Sequence, residues 1–316
     1  MNELSTTVFR PTILRLAGHP WFRAMATQTA PGRAVARRFV AGETLEQAME
    51  AAHQLDRERI VTMLDLLGEN VTTLAQAADA RAAYLAAIEA VAAAPTLDCA
   101  ISIKLTQLGL ESSTEACLDN VAPILDAAEA AGVLVMIDME DHPHVDGTLE
   151  VLHAAHARYQ RVGICLQSYL RRTQRDVFAL PAGVRVRLVK GAYLEPEAVA
   201  FQDKREVDDA WAQLFMTLLG RGHPIDAATH DPRLIEGVRT RVDALPDGWS
   251  RVEFQMLYGV RRDLQAQLAR RRYPLRVYVP YGQEWYPYLT RRLAERPANM
   301  WFFLSNLART GPRDGR

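Results

Sequence analysis

The sequence has little of what marks most specialised classes. It holds three cysteines, Cys99, Cys117 and Cys165, odd in number, widely spaced and in no metal-ligand cluster. That argues against a disulfide framework or a zinc–thiolate site, and the expected compartment is a reduced cytoplasm. No apolar run approaches the ~20 residues of a membrane helix. No charged start followed by an apolar core marks a signal peptide. Peripheral contact with the inner face of the cell membrane stays open. No charge of one sign dominates: the formal net charge is −1 with 24% charged residues. That balance gives no support for a nucleic-acid partner. The local pairs Arg171-Arg172, Arg261-Arg262 and the run Arg270-Arg271-Arg272 read as solvated outer surface. There is no low-complexity tract and no evident repeat. The one G-x-G, Gly220-Arg221-Gly222, precedes a strand and lacks a third glycine, so it is no dinucleotide fingerprint.

What is present is apolar content and alternation. Apolar residues make up 49% of 316, enough for one large α/β domain. Residues 1–59 read as a helical prelude packed on that domain, with helical stretches at 12–16, 20–28 and 44–59 and a break at 39–44. From residue 60 the pattern alternates strand and helix. Strands are predicted at 60–64, 99–105, 134–139, 163–169, 184–189, 225–229, 252–257 and 275–280. Helices are predicted at 74–94, 113–131, 145–159, 170–178, 203–220, 231–245 and 261–270, with a last one between Pro287 and Pro297. Eight such units predict a distorted (βα)8 TIM-type barrel over residues 60–316, with a doubly wound sheet as the alternative. Continuous apolar runs such as 134–137 suit strands buried on both faces.

Barrel chemistry sits at the C-terminal ends of the strands. Those ends carry Lys104, Asp138 and Glu140, Gln167 and Tyr169, Arg187 and Lys190, Thr229-His230-Asp231, Gln255 and Leu257, and Tyr278. Each has a blander reading: a lysine stem along the rim, or Asp231 as an N-cap. Gathering so many desolvated polar groups at one rim is too costly without a ligand. The opposite rim is expected to show no such concentration. In the last helix Tyr288, Arg291, Arg292 and Glu295 share one face. Two guanidinium groups beside a phenol can seat a small carboxylate. The plainer alternative is a solvated face with an Arg291–Glu295 pair. Lys104, Arg187, Lys190, Arg291 and Arg292 favour an anionic ligand over a metal, and none is expected.

These stretches together resemble the monofunctional bacterial proline dehydrogenases. The resemblance rests on the runs at 62–69 (TMLDLLGE), 102–105 (SIKL), 187–193 (RLVKGAY), 228–230 (ATH), 253–257 (EFQML) and 288–293 (YLTRRL), in family order. It implies a distorted (βα)8 barrel that binds FAD non-covalently and oxidises L-proline to Δ1-pyrroline-5-carboxylate, with electrons passing to a membrane quinone. It implies that Arg291 and Arg292 pair with the proline carboxylate, helped by Lys104. Tyr278, Tyr288 and Leu257 would wall the ring, with Tyr193 near them and Asp138 supporting the pocket. Arg187 would lie beside flavin N5, and with Lys104 it would favour negative charge on the flavin. Gln167, Lys190, Gly191, Ala192, Tyr193, Thr229, His230, Asp231, Gln255 and Glu295 would line the flavin, and Lys204 would reach its adenosine end. Asp231 stands where many relatives carry Asn. Nothing matches an aldehyde dehydrogenase, so a separate pyrroline-5-carboxylate dehydrogenase is expected downstream. The proton acceptor is not legible. Two other enzymatic readings remain: hydroxyproline oxidation on the same fold, and a Schiff-base aldolase using Lys104 or Lys190.

Overall fold

The computed structural model describes residues 27, 29–69 and 71–295. The expectations for 12–16, and for all of 20–28 except Thr27, lie outside the described residues. So do Trp21 and Phe22. The chain closes an eight-stranded parallel barrel with strands in sequence order. Its strands are β1 (Val61–Leu66), β2 (Cys99–Ile103), β3 (Val135–Ile137), β4 (Val162–Gln167), β5 (Arg185–Val189), β6 (Ile225–Ala228), β7 (Val252–Leu257) and β8 (Leu275–Tyr281). All eight sit where the sequence alternation places them. β2 and β3 are shortened most against expectation, because the chain leaves the ladder just before Lys104 and just before Asp138.

Helices α1 (Ala30–Phe39) and α2 (Leu45–Arg57) precede the barrel. Then come α3 (Leu74–Ala92), α4 (Thr114–Ala131), α5 (Val145–His156), α6 (Thr173–Ala179), α7 (Lys204–Gly220), α8 (Pro232–Val242), α9 (Arg262–Arg270) and α10 (Trp285–Glu295). Local chemistry starts them. Thr44 with Gln47, and Thr73 with Gln76, form capping boxes that satisfy orphan N–H groups at α2 and α3. Asp203 and Asp231 cap α7 and α8. Among the described residues no helix is long and apolar enough to cross a membrane.

Side chains alternate across each strand, and here the two faces differ sharply. The outward residues, among them Leu64, Ile101, Ile137, Ile164, Leu188, Phe254 and Val277, belong to one large apolar cluster between barrel and helices. Among the described residues the lumen holds a small apolar plug of Met63, Ala100 and Met136. Gly163 makes room for it, since a Cβ there would meet Met136 and the Arg185 carbonyl. Below the plug, at the N-terminal end of the barrel, lies a buried charged floor. This corrects the expectation that the opposite rim is bare. Arg185 Nε donates to Asp226 Oδ1 at 2.7 Å, and Arg276 Nε donates to Glu253 Oε1 at 2.7 Å. Arg276 also reaches the Thr62 carbonyl at 2.8 Å and Asp98 at 3.0 Å. The floor is hard to see in the sequence because its charges stand singly at the starts of largely apolar strands, far apart along the chain.

Burial, then Glu253, push the Asp226 carboxyl up to about 7, against Arg185 and Arg276. Its folded value lies above its unfolded one, so its contribution to stability declines as pH rises from about 4 through about 7. Asp226→Asn should remove that decline. In urea melts the variant should gain on the order of 1–3 kcal/mol relative to the parent between pH 5 and pH 8. An unchanged difference at the two pH values would count against the assignment.

Candidate functional site

The C-terminal mouth of the barrel opens into a cavity of about 660 Å³. Its floor is a line of buried charge. Lys104, one residue past β2, donates to Asp65 of β1 and, at 3.0 Å, to Asp138 Oδ2, one residue past β3. Asp138 Oδ1 accepts from Arg187 of β5 and from Ser102 at 2.7 Å, and its Oδ2 accepts from Tyr278 of β8 at 2.7 Å. The Arg187 guanidinium lies 5.0 Å from the Tyr278 ring centroid. Burial disfavours the Asp138 carboxylate, but Arg187 and Lys104 outweigh it and hold the group at about 2. Burial likewise disfavours the Lys104 ammonium, yet Asp65, Tyr278 and Asp138 raise it well above the usual lysine range. Two carboxylates on its ammonium thus favour the charged form of Lys104.

Helix α10 roofs one end. Its start is tied to the linker after α1: Ala41 N–H donates to the Pro280 carbonyl at 2.9 Å, and Gly282 N–H to the Gly42 carbonyl at 3.0 Å. Trp285 Nε1 reaches Glu43 at 3.2 Å. Held this way, α10 sends Tyr288, Arg291 and Arg292 to the cavity. Arg291 makes a two-pronged pair with Glu69, at 2.5 and 3.0 Å; the alternative Arg291–Glu295 pair falls on a side chain outside the described residues. Glu69 is carried by the loop after β1, which turns at Gly68 with φ of 151°. Gln107 pins that loop through the Leu66 carbonyl at 3.4 Å, and itself accepts from the buried Tyr84 hydroxyl. The Arg291 guanidinium also lies 5.7 Å from the Tyr193 ring, and that of Arg292 lies 5.0 Å from the Tyr288 ring. The side chain of Glu295 lies outside the described residues.

The other end of the cavity is amide-lined and then basic. Gln167 donates to the carbonyls of Met139 at 3.3 Å and Glu140 at 2.6 Å. Gln255 donates to Glu253 at 3.0 Å. The amide oxygens of both are buried without a hydrogen-bond partner among the described residues. His230 Nε2 accepts from Leu257 N–H at 2.9 Å, which makes Nε2 the unprotonated nitrogen. Thr229 Oγ1 accepts from Asp231 N–H at 3.1 Å. Lys190 pairs with Asp208 at 2.5 Å and Asp231 at 3.2 Å, and Lys204 pairs with Asp208 at 2.5 Å. Asp231 thus caps α8 and holds these lysines at once. Gly191 has φ of 126° and lies where any Cβ would strike the Tyr169 ring. Ala192 and Leu257 complete this wall.

Apart from Glu295, every residue that the family resemblance implies for the site lines this one cavity, whereas Glu140 and Tyr169, also named at the strand ends, do not. Sequence reasoning did not assign a site role to Asp65, Glu69, Ser102, Asp208 or Arg233. Asp65 had a visible signal, a lone acid inside the apolar run of β1. Asp208 and Glu69 had none, because their importance comes from partners distant in sequence.

The proline dehydrogenase family model matches residues 48–304. The chain is 40% identical over 306 residues to a proline dehydrogenase of Deinococcus radiodurans, covering 95% of this chain and 98% of that one. It is 39% identical over 273 residues to proline dehydrogenase 1 of Bacillus subtilis, covering 86% of this chain and 90% of that one. A solved structure of proline utilization A from Bdellovibrio bacteriovorus, inactivated by N-propargylglycine, superposes with a TM-score of 0.78 at 24% identity. That overlap covers 89% of this chain and 34% of the solved one, so the chain spans about a third of that protein, and the likeness speaks for the barrel. With relatives this similar along nearly their whole length, the chain belongs to the proline dehydrogenase family.

Proposed function

We propose that the chain oxidises L-proline to Δ1-pyrroline-5-carboxylate with FAD held non-covalently in the cavity, and that electrons leave to a membrane quinone. The observation that carries this reading is the placement of Arg291 and Arg292 over the same cavity as the two unanswered amide oxygens and the paired lysines. The residues suit a flavin. Buried acceptors such as Gln167 Oε1 and Gln255 Oε1 need donors from a ligand, and a heterocycle with N–H groups provides them. Lys190, Lys204 and Arg233 form a basic end suited to a diphosphate. Gly191 lets the backbone approach closely where a side chain would not fit. Bound there, FAD would supply a two-electron oxidant that accepts hydride.

The chain's own residues have the remaining tasks. Arg291 and Arg292 would hold the substrate carboxylate, with Lys104 adding charge from below. Arg291 already binds a carboxylate, that of Glu69, so substrate must compete with an acid built into the chain. Exchange of one carboxylate for another keeps the guanidinium paired throughout, which avoids the cost of a buried, lone cation. Tyr278, Tyr288 and Leu257 would fix the ring and exclude water, which serves a reaction that needs donor and acceptor within ~3–3.5 Å. The product would pass to a separate pyrroline-5-carboxylate dehydrogenase. The Schiff-base reading is less well supported, because Lys104 and Lys190 each sit between two carboxylates that favour the ammonium over a nucleophilic amine.

Purified protein should be yellow, and anaerobic L-proline should bleach it. A colourless protein that reduces no quinone analogue with proline would sink the reading, and borohydride should trap no substrate on lysine. Arg291→Met and Arg292→Met should each raise the KM for proline at least ~10-fold while flavin stays bound, since a charge-assisted contact is worth ~1.5–3 kcal/mol. An unchanged KM in both would refute the carboxylate seat. Arg187→Met leaves the Asp138 carboxylate short of its strongest partner. Denaturant melts should show a loss of ~3–5 kcal/mol, together with weaker flavin retention or slower bleaching.

A further inference from the structure

The two acids on the cavity floor are not equivalent. Asp138 is saturated, with Arg187 and Ser102 on one oxygen and Lys104 and Tyr278 on the other. Asp65 accepts from Lys104 through Oδ1, and the nearby Tyr278 hydroxyl also draws its carboxyl downward. Its Oδ2 is buried, has no hydrogen-bond partner among the described residues, and belongs to a side chain that lines the cavity. A carboxylate oxygen left bare in a low-dielectric site is costly. It is also an open acceptor for an N–H brought in by a ligand.

Oxidation of a cyclic secondary amine requires such an acceptor. Proline arrives as a secondary ammonium, and its nitrogen needs a free electron pair before a C=N bond can form. The neighbours of Asp65 cannot serve. Lys104 already donates to two carboxylates, those of Asp65 and Asp138, Tyr278 donates its hydroxyl to Asp138, and Glu69 is engaged by Arg291. We infer that Asp65 is the proton acceptor of the reaction, taking the ring-nitrogen proton of the substrate onto Oδ2. The N–H bond breaks and an O–H bond forms. The freed pair closes the C=N bond as the adjacent ring carbon gives up hydrogen with two electrons to the oxidant. The product leaves as an iminium, and Asp65 returns its proton to water. This assignment rests on the proline reading above.

The electrostatics agree with it. Facing Asp65 are Lys104 beyond β2, Asp138 beyond β3, Tyr278 and Tyr281 of β8, Tyr84 of α3 and Arg291 of α10. Burial, and then Asp138, push the Asp65 carboxyl upward against the pull of Lys104. Asp138 is held low in the same cluster. Two acids driven apart in this way divide into a base and a permanent anion.

The test compares L-proline with 4,4-difluoro-L-proline, whose fluorines make the ring amine far less basic, on the flavin-loaded full chain. With wild type, kcat should show an acid limb on proline that is absent on the difluoro ring. Asp65→Asn should lose ~100-fold or more in kcat on proline but under ~10-fold on the difluoro ring. Asp65→Glu, which keeps a carboxylate, should restore part of the proline rate and the acid limb. Binding of tetrahydrofuran-2-carboxylate, a ring without an amine, is read by calorimetry and should change by less than ~3-fold in Asp65→Asn. Equal losses on both substrates would overturn the assignment, as would a Kd for the amine-free ring that rises in step with the rate loss; either marks a residue that only positions Lys104. If Asp65→Asn does not fold, the wild-type profiles decide alone, and identical acid limbs on both substrates overturn the assignment. Wild type that never bleaches with proline would fail the functional reading itself, a result distinct from turnover that ignores Asp65.

Discussion

The buried pairing of Arg187 with Asp138 is the constraint on which the cavity depends. Isolated, either charge would be untenable at this depth. Together they span the lumen from β5 to the end of β3, and Lys104, Ser102 and Tyr278 close around them. Five of the eight strands therefore meet in one polar network, counting Asp65 of β1. A barrel usually fills its lumen with layers of branched apolar side chains. This one keeps the Met63, Ala100 and Met136 plug and stacks charge on both sides of it. The apolar driving force lies outside, between strands and helices. That division leaves the lumen available for chemistry.

The floor and the roof of the cavity differ in how their charges are held. Apart from Asp65, the floor charges are pinned by several partners from different strands, so the fold sets their charge. The roof arginine Arg291 relies on Glu69, a carboxylate on a loop, and so on the same chemistry that a substrate carboxylate offers. A fixed floor suits orientation and charge stabilisation. An exchangeable roof contact suits entry and release.

The candidate site was legible in the sequence to the extent that barrel geometry is periodic. Once eight strands were counted, the residues at their C-terminal ends had to face one mouth, and Lys104, Arg187, Gln167, Gln255 and Tyr278 do so. The position of Arg291 and Arg292 followed from a helix placed directly after the last strand. The charged floor at Arg185, Asp226, Glu253 and Arg276 went unread, although period two applies there equally. An apolar run such as 252–257 hides its inward acid when only its far end is inspected.

The sequence by itself determined the order and number of the elements, the family, and which residue types reach the barrel mouth. The family shows in the combination of motif runs; the rest follows from local periodicity, caps and turn residues, all of which act over a few positions of chain. Only the tertiary structure decided the pairings: Glu69 with Arg291, Asp208 with both lysines, and one saturated acid beside one acid with a bare oxygen. Pairing energies depend on distance and burial between residues up to some two hundred positions apart. No spacing along the chain encodes them.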